Sequence, residues 1–195
     1  MIAVRRLFHK EDWCPPLGGF PLVEITTTYG KTVKDELLKA KAWGESGVLF
    51  LEHDIFVDGE TLSEMEDYII RREISNQKVR RELIAFPYHL YTVTTGLPWP
   101  VIAHRKFSPE LKNYSWLVDT DFKCDVELGW HAWVKSCGMG CTYIPVGAEP
   151  EIRDSWDYPT FDTEMSIYLN RERGFEILVP HIFARHTHAK EVFLK

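Results

Sequence analysis

The chain has 195 residues and a formal net charge of −6, a length sufficient for one domain with a sizeable core. The acidic balance argues against a dedicated nucleic-acid-binding protein, because such proteins carry a basic surface. No apolar run is long enough to cross a bilayer, and the first residues lack the apolar segment of a signal peptide. We therefore expect one soluble domain with a cytoplasmic location.

The first part of the chain predicts strands that alternate with a helix. In chain order, these elements are a strand over residues 1–8, a strand over 22–28, a helix over 31–43 and a strand over 48–51. Arg5 and Arg6 weaken the first prediction, because charged side chains are rarely buried. The order strand, helix, strand predicts a right-handed crossover and hence a parallel sheet.

The remaining elements follow from the same kind of pattern. They are a helix over residues 60–72, a strand within 83–94, a helix over 125–136, a strand over 141–146, a helix over 161–173 and a strand over 177–179. Asp58 can cap the first of these helices. Prolines between residues 98 and 109 mark an irregular segment that is suited to a substrate loop.

Two acids directly after the predicted strand over residues 48–51 are the strongest functional signal. Strand alternation points Glu52 and Asp54 to the same side. This is the carboxyl edge of the sheet, where open α/β sheets bind ligands. Neighbouring carboxylates repel each other unless a cation lies between them or one is protonated, and hard oxygen ligands suit Mg²⁺ or Mn²⁺. The alternative interpretation is a solvated, acidic strand end.

Three other groups are weaker candidates. Asp125 and Glu127 lie in the first turn of a predicted helix, where negative charge is stabilised whether or not it has a function. His186 and His188 alternate in an extended segment and can act as ligands, although a lone histidine usually has a structural role. The four cysteines do not form a disulfide framework. One pair, Cys137 and Cys141, is interpreted as buried thiols or one disulfide rather than a metal clip.

Segments of the chain resemble, in the expected order, those of GT-A-fold glycosyltransferases, in particular family-2-like members. Residues 30–54 are similar to the nucleotide-binding half of that fold, where a helix leads to an apolar strand that ends in an Asp-x-Asp motif. Here the motif reads Glu52-His53-Asp54. The tail over residues 179–188 resembles the stretch where some members place a metal-binding histidine.

A second signature of these members is similar to residues 124–131, which read Cys-Asp-Val-Glu-Leu-Gly-Trp-His where the family has Glu-Asp-Val-Asp-Leu-Gly-Trp-Arg. In the family the second acid of the Glu-Asp pair is taken as the catalytic base, and this acid falls on Asp125. Cys124 and His131 depart from the pattern. The sequence contains no Gln-x-x-Arg-Trp motif, which argues against a polysaccharide synthase.

The resemblance implies an α/β fold of the single-domain GT-A (Rossmann-like) type, with a mixed, mostly parallel sheet flanked by helices. Residues 1–58 would bind the nucleotide, and residues 59–195 would form the acceptor half and the tail. The implied reaction transfers a sugar from a nucleotide-diphosphate sugar to a hydroxyl of a sugar or glycoprotein acceptor. The size and features are also close to those of a small archaeal-virus glycosyltransferase of this fold, in which case the cytoplasm is that of the host cell.

The resemblance also implies roles for individual residues. Mn²⁺ or Mg²⁺ would be held by Asp54, by Glu52 and by His188 or His186. Asp125 would be the catalytic base, with Asp154 as a rival. The residues implied to contact nucleotide or substrate are Thr27, Thr28, Tyr29, Lys34, Glu127 and Trp130.

Two other functions are compatible with the same residues. A metal-dependent phosphohydrolase or nucleotidyltransferase would use the same carboxylates. A non-catalytic GT-A-like binding module is the other alternative, because Glu replaces Asp in the first motif and Cys replaces Glu in the second. Fold does not by itself imply function.

Overall fold

The computed structural model describes residues 2–10, 19–75, 81–91, 98–101 and 132–186. Its strands are β1 (Ile2–Phe8), β2 (Leu22–Glu24), β3 (Gly47–Glu52), β4 (Ile55–Phe56), β5 (Glu82–Ala85), β6 (Tyr88–Tyr91), β7 (Pro98–Val101), β8 (Ala132–Val134), β9 (Cys141–Pro145), β10 (Glu176–Val179) and β11 (Arg185–His186). Its α-helices are α1 (Tyr29–Ala42), α2 (Gly59–Ser75) and α3 (Phe161–Arg173), and a 3-10 segment covers Val146–Glu151. No described helix is long and apolar enough to cross a membrane.

Seven strands form one sheet, in the order β2-β1-β3-β9-β5-β10-β8. Strands β1, β2, β3, β5 and β10 run in one direction, whereas β9 and β8 run in the opposite direction. The prediction of a mixed sheet is therefore confirmed, with three parallel and three antiparallel pairs of neighbouring strands. Strands from the first 58 residues and from the later part of the chain belong to this same sheet. Two smaller sheets pair β4 with β11 and β6 with β7.

Strand β3 lies inside the sheet between β1 and β9, and it is buried on both faces as its apolar sequence predicts. Val48 and Phe50 belong to the core on the side of α1 and α3. Leu49 and Leu51 belong to the core on the side of α2. All four side chains have no exposed surface. The architecture is therefore a sheet with helices packed on both faces.

The sequence pattern located the three helices correctly. In α1 the apolar residues at helical spacing, Val33, Leu37 and Ala40, are fully buried. Asp58 caps α2 as predicted, because its Oδ1 accepts a hydrogen bond of 2.8 Å from the backbone N–H of Thr61. The helix predicted over residues 161–173 is α3, which ends at Gly174 in the left-handed conformation.

The helix predicted over residues 125–136 is wrong for the part that the structure describes. Residues 132–134 form strand β8, which pairs antiparallel with β10. This pairing buries Val134, and the guanidinium of Arg72 lies 5.6 Å from the ring centroid of Trp133. An available edge of the sheet has overridden the local helical pattern. Residues 125–131 lie outside the described residues.

The cysteine pair consists of free, buried thiols. Cys137 lies in the core on the α1 face and Cys141 in the core on the α2 face, so the sheet separates them. Burial raises the pKa of Cys137 to about 12, and burial also raises the pKa of Cys141. The structure therefore supports the interpretation of this pair as buried thiols rather than as a disulfide.

Gly30 is required by the close packing of α1 against the loop that precedes α3. A Cβ at this position would overlap the carbonyl oxygen of Arg153. We expect Gly30→Ala to lower the free energy of unfolding by about 1–3 kcal/mol, because backbone on both sides resists displacement. Gly59→Ala is the control, because a Cβ there meets nothing within 4 Å, and it should be neutral or slightly stabilising. Denaturant titration of both variants measures the difference, and equal effects would contradict this account.

Candidate functional site

The two predicted acids lie at the carboxyl end of β3. Glu52 is the last residue of the strand, and its backbone N–H donates a hydrogen bond of 2.9 Å to the carbonyl of Gly140. His53 and Asp54 form a two-residue turn before β4 begins at Ile55. All three residues of this acid turn (Glu52, His53 and Asp54) are half-buried. The acids are therefore held on short, ordered backbone at the edge of the sheet.

Tyr88 lies beside the acid turn. It is the first residue of β6 and is buried. Burial raises the pKa of Tyr88 well above its usual value, and the negative charges of Glu52, Asp162 and Asp54 raise it further. Because nearby negative charges raise the pKa of a phenol, the carboxylates of Glu52, Asp54 and Asp162 lie within electrostatic reach of Tyr88.

Asp162 is a member of this group that the sequence analysis did not find. It is the second residue of α3, and burial raises its pKa, although hydrogen bonds from Thr163 to Oδ1 oppose the shift. A Cβ on Gly138 would lie 3.4 Å from the Tyr88 hydroxyl and 3.6 Å from Asp162 Oδ2. The hydroxyl and the carboxylate therefore border the same small space. The sequence holds no signal for this role, because acids are common in the first turn of any helix.

The segment with the predicted histidine ligands reaches the acid turn through its backbone. Strand β11 pairs antiparallel with β4, and the register sets His186 opposite Ile55, the residue that follows Asp54. Ala184 donates its backbone N–H to the carbonyl of Pro87 at 2.9 Å, which ties the same segment to β6. His188 lies outside the described residues. The roles of both histidines stay predictions.

The donor set of the acid turn fits a hard divalent cation in part. Glu52 and Asp54 supply carboxylate oxygens, which are the ligands that Mg²⁺ and Mn²⁺ prefer. Among the residues that the structure describes, no group of three or more His, Cys, Asp or Glu could hold a metal ion. A complete set of ligands would therefore need groups beyond these two side chains, such as the predicted histidines.

The predicted nucleotide contacts at the start of α1 are engaged with a loop of the protein, residues 153–157. Thr28 caps the helix by accepting the N–H of Lys31 at 3.2 Å, and its hydroxyl donates to the carbonyl of Asp154. The N–H of Tyr29 donates to Asp157 Oδ1 at 3.2 Å. These amides have protein acceptors, so a phosphate group that bound them would have to displace the loop.

The side chains of Lys34 and Asp154 are also part of this contact. The Lys34 ammonium and the Asp154 carboxylate form an ion pair at 3.0 Å, in which the carboxylate side chain is 59% exposed. The predicted contact Thr27 is exposed. The remaining predicted site residues, Asp125, Glu127 and Trp130, lie outside the described residues.

Stacked aromatic rings connect the start of α1 with the start of α3. The rings of Tyr29 and Phe161 stack with centroids 5.3 Å apart, and His9, which follows β1, packs edge-on against Tyr29 at 5.2 Å. Phe161 is the neighbour of Asp162. The predicted nucleotide contacts and the acid turn therefore lie on the same edge of the sheet, with α3 between them.

The fold and this edge define an α/β protein with a mixed sheet and an acidic group at its carboxyl end. The chain is similar to the crystal structure of A197 from STIV, an archaeal virus, with a TM-score of 0.52 and 11% sequence identity over 94% of this chain and 85% of that chain. At this identity the likeness shows a shared fold. No protein-family model and no curated protein matches the sequence.

The ionised carboxylate of Asp162 should destabilise the folded protein at neutral pH. Its folded-state pKa lies above the unfolded value, so the folded state binds more protons between the two pKa values and stability falls as the pH rises through that interval. We therefore expect Asp162→Asn to raise the Tm at pH 7 and to lose this advantage as the pH falls toward about 4, the usual pKa of an aspartate.

Thermal unfolding of both proteins between about pH 4 and 8 measures this difference. The control is Glu164→Gln, which neutralises an exposed acid in the same first turn and should not raise the Tm at pH 7. A lower Tm for Asp162→Asn at pH 7 would contradict the interpretation of Asp162 as a half-buried, destabilising carboxylate.

Proposed function

We propose that the protein is a divalent-metal-dependent glycosyltransferase of the GT-A fold, which moves a sugar from a nucleotide-diphosphate sugar to an acceptor hydroxyl. The observation that carries the proposal is the position of Glu52 and Asp54 at the carboxyl edge of the sheet, next to buried Tyr88 and to strand β11. The resemblance of three sequence segments to the family supports it. The likeness to A197 supports the fold alone.

Strand order supports a ligand site at this edge. The chain passes from β1 to β2 on one side of β1 and then to β3 on the other side. Open α/β sheets bind ligands outside the carboxyl ends of their strands, at the point where the strand order reverses. That point lies between β1 and β3, where Glu52 is the register partner of Leu7.

In the proposed reaction the difficult part is the departure of the nucleotide diphosphate, which leaves with negative charge. A bound Mn²⁺ or Mg²⁺ would neutralise that charge. Asp54 would hold the ion directly, Glu52 would act through water or the ribose, and His188 or His186 would complete the set. The fixed backbone of the acid turn would keep these oxygens in place without reorganisation during the reaction.

Asp125, Asp154 and Asp162 are the candidates for the base that accepts the proton of the acceptor hydroxyl. Asp125 is favoured by the family signature. Asp154 is exposed and forms an ion pair with Lys34. Asp162 is the third candidate, because partial burial beside Tyr88 raises its pKa. A general base works best when its pKa lies near the working pH.

Asp54→Ala should abolish metal-dependent donor binding and leave the fold intact. Calorimetric titration with uridine or guanosine diphosphate and Mn²⁺ measures it. The affinity for the nucleoside diphosphate and Mn²⁺ should fall by more than roughly 100-fold. A loss of that size is expected when a group that only supports a metal ligand is removed, and Asp54 is proposed as a direct ligand. Glu64→Ala, which removes an exposed acid of α2, should bind as the wild type does. Unchanged binding by Asp54→Ala would remove Asp54 from the site.

Asp125→Asn should retain donor binding and lose about 10²–10⁴-fold in transfer rate, the typical contribution of a general base. Asp154→Asn and Asp162→Asn, measured in the same assay, are the comparison. If Asp125→Asn turns over normally and one of the other two is impaired, that residue takes the role. Normal turnover in all three would indicate a reaction without a side-chain base, as expected for retention at the anomeric carbon.

The products separate this proposal from the two alternatives. Release of free nucleotide and sugar phosphate, with no glycoside formed, would indicate a phosphohydrolase or nucleotidyltransferase. If no nucleotide sugar raises the Tm with or without Mn²⁺, the result would favour a non-catalytic module, because a ligand that binds the native state stabilises it.

A further inference from the structure

Arg6 is one of the largest fully buried side chains of the protein, with no exposed surface. A guanidinium in the core is costly unless its donors and its charge are accommodated. Its Nη1 donates a hydrogen bond of 2.9 Å to the carbonyl oxygen of His53. The partner is therefore the backbone of the acid turn, 47 residues along the chain.

The preceding residue, Arg5, is a comparison on the same strand, because its contacts join the sheet to a helix and do not involve the acid turn. Its Nε donates to Glu36 Oε2 at 2.8 Å, and its guanidinium lies 5.6 Å from the ring centroid of Trp43. Arg5 thus joins the sheet to α1. Because successive side chains of a strand point to opposite faces, Arg6 extends toward the α2 face, where its register partner Leu51 belongs to the apolar core.

The carbonyl that Arg6 contacts is part of the peptide group between His53 and Asp54. This group is planar, so a hydrogen bond to its oxygen restricts the orientation of the backbone that leads into Asp54. The turn has only two residues between β3 and β4, which leaves few other ways to fix it.

We propose that Arg6 is a positioning residue for the acid turn: its buried guanidinium holds the peptide group between His53 and Asp54, so that Glu52 and Asp54 are presented together to a divalent cation. This inference deepens the proposed function and rests on it for the identity of the ligand. A single buried charge then serves both the fold and the site.

The test compares Arg6→Met with Arg5→Met, since each removes one buried guanidinium from the same strand. Both should lower the Tm. Only Arg6→Met should speed amide hydrogen exchange in residues 52–56, by about tenfold or more, because local protection depends on local contacts. Only Arg6→Met should weaken binding of Mn²⁺ alone, by about 10–100-fold, as loss of an outer-shell partner does. Electron paramagnetic resonance of free Mn²⁺ measures the affinity.

Arg6→Lys provides the rescue and covers a failure of Arg6→Met to fold. Lysine keeps a hydrogen-bond donor but lacks the planar fork of arginine, so it should recover part of the Mn²⁺ affinity, whereas Arg5→Lys should leave the affinity unchanged. Equal changes at the acid turn in the Arg5 and Arg6 variants, or none in either, would overturn the proposal. If the wild-type protein binds no Mn²⁺, the metal dependence in the proposed function is wrong. The hydrogen-exchange comparison would still show whether Arg6 fixes the acid turn.

Discussion

The buried strand β3 is the constraint on which the rest of the structure depends. Strands β1 and β9 pair with its two edges, and apolar cores cover its two faces. Residues 48–51 therefore have no access to water, and polar side chains can follow only where the strand ends. Glu52 and Asp54 occupy that end, so the burial of the strand determines where the acids meet solvent.

Several polar groups are buried around this end of the sheet at a cost to stability. Arg6 and Tyr88 are buried there, and the burial of Asp162 raises its pKa. Arg6 donates a hydrogen bond to the backbone of the acid turn, and the charges of Glu52 and Asp54 contribute to the raised pKa of Tyr88. Buried titratable groups that act on one another are typical of functional sites, where protonation behaviour is adjusted by the environment. This concentration of polar groups is the physical basis of the proposed site.

The start of α1 has a different character from the acid turn. Its first amides and the side chains of Thr28 and Lys34 are engaged by residues 153–157, and Gly30 allows that loop to approach the helix directly. A loop that occupies a helix N-terminus satisfies donors that an anion would otherwise bind. At this edge of the sheet, a ligand therefore has easier access to the acid turn than to the start of α1.

The sequence by itself determined the elements whose patterns are local. The three helices α1, α2 and α3, the buried apolar run of β3 and the position of the two acids at its end were predicted correctly, because each depends on residues close together in the chain. Only the tertiary structure decided that residues 132–134 pair with β10, that Arg6 reaches His53 and that Asp162 acts on Tyr88. Those relations join residues far apart in sequence, and burial of a charge or pairing of a short strand becomes favourable only when the distant partner is present.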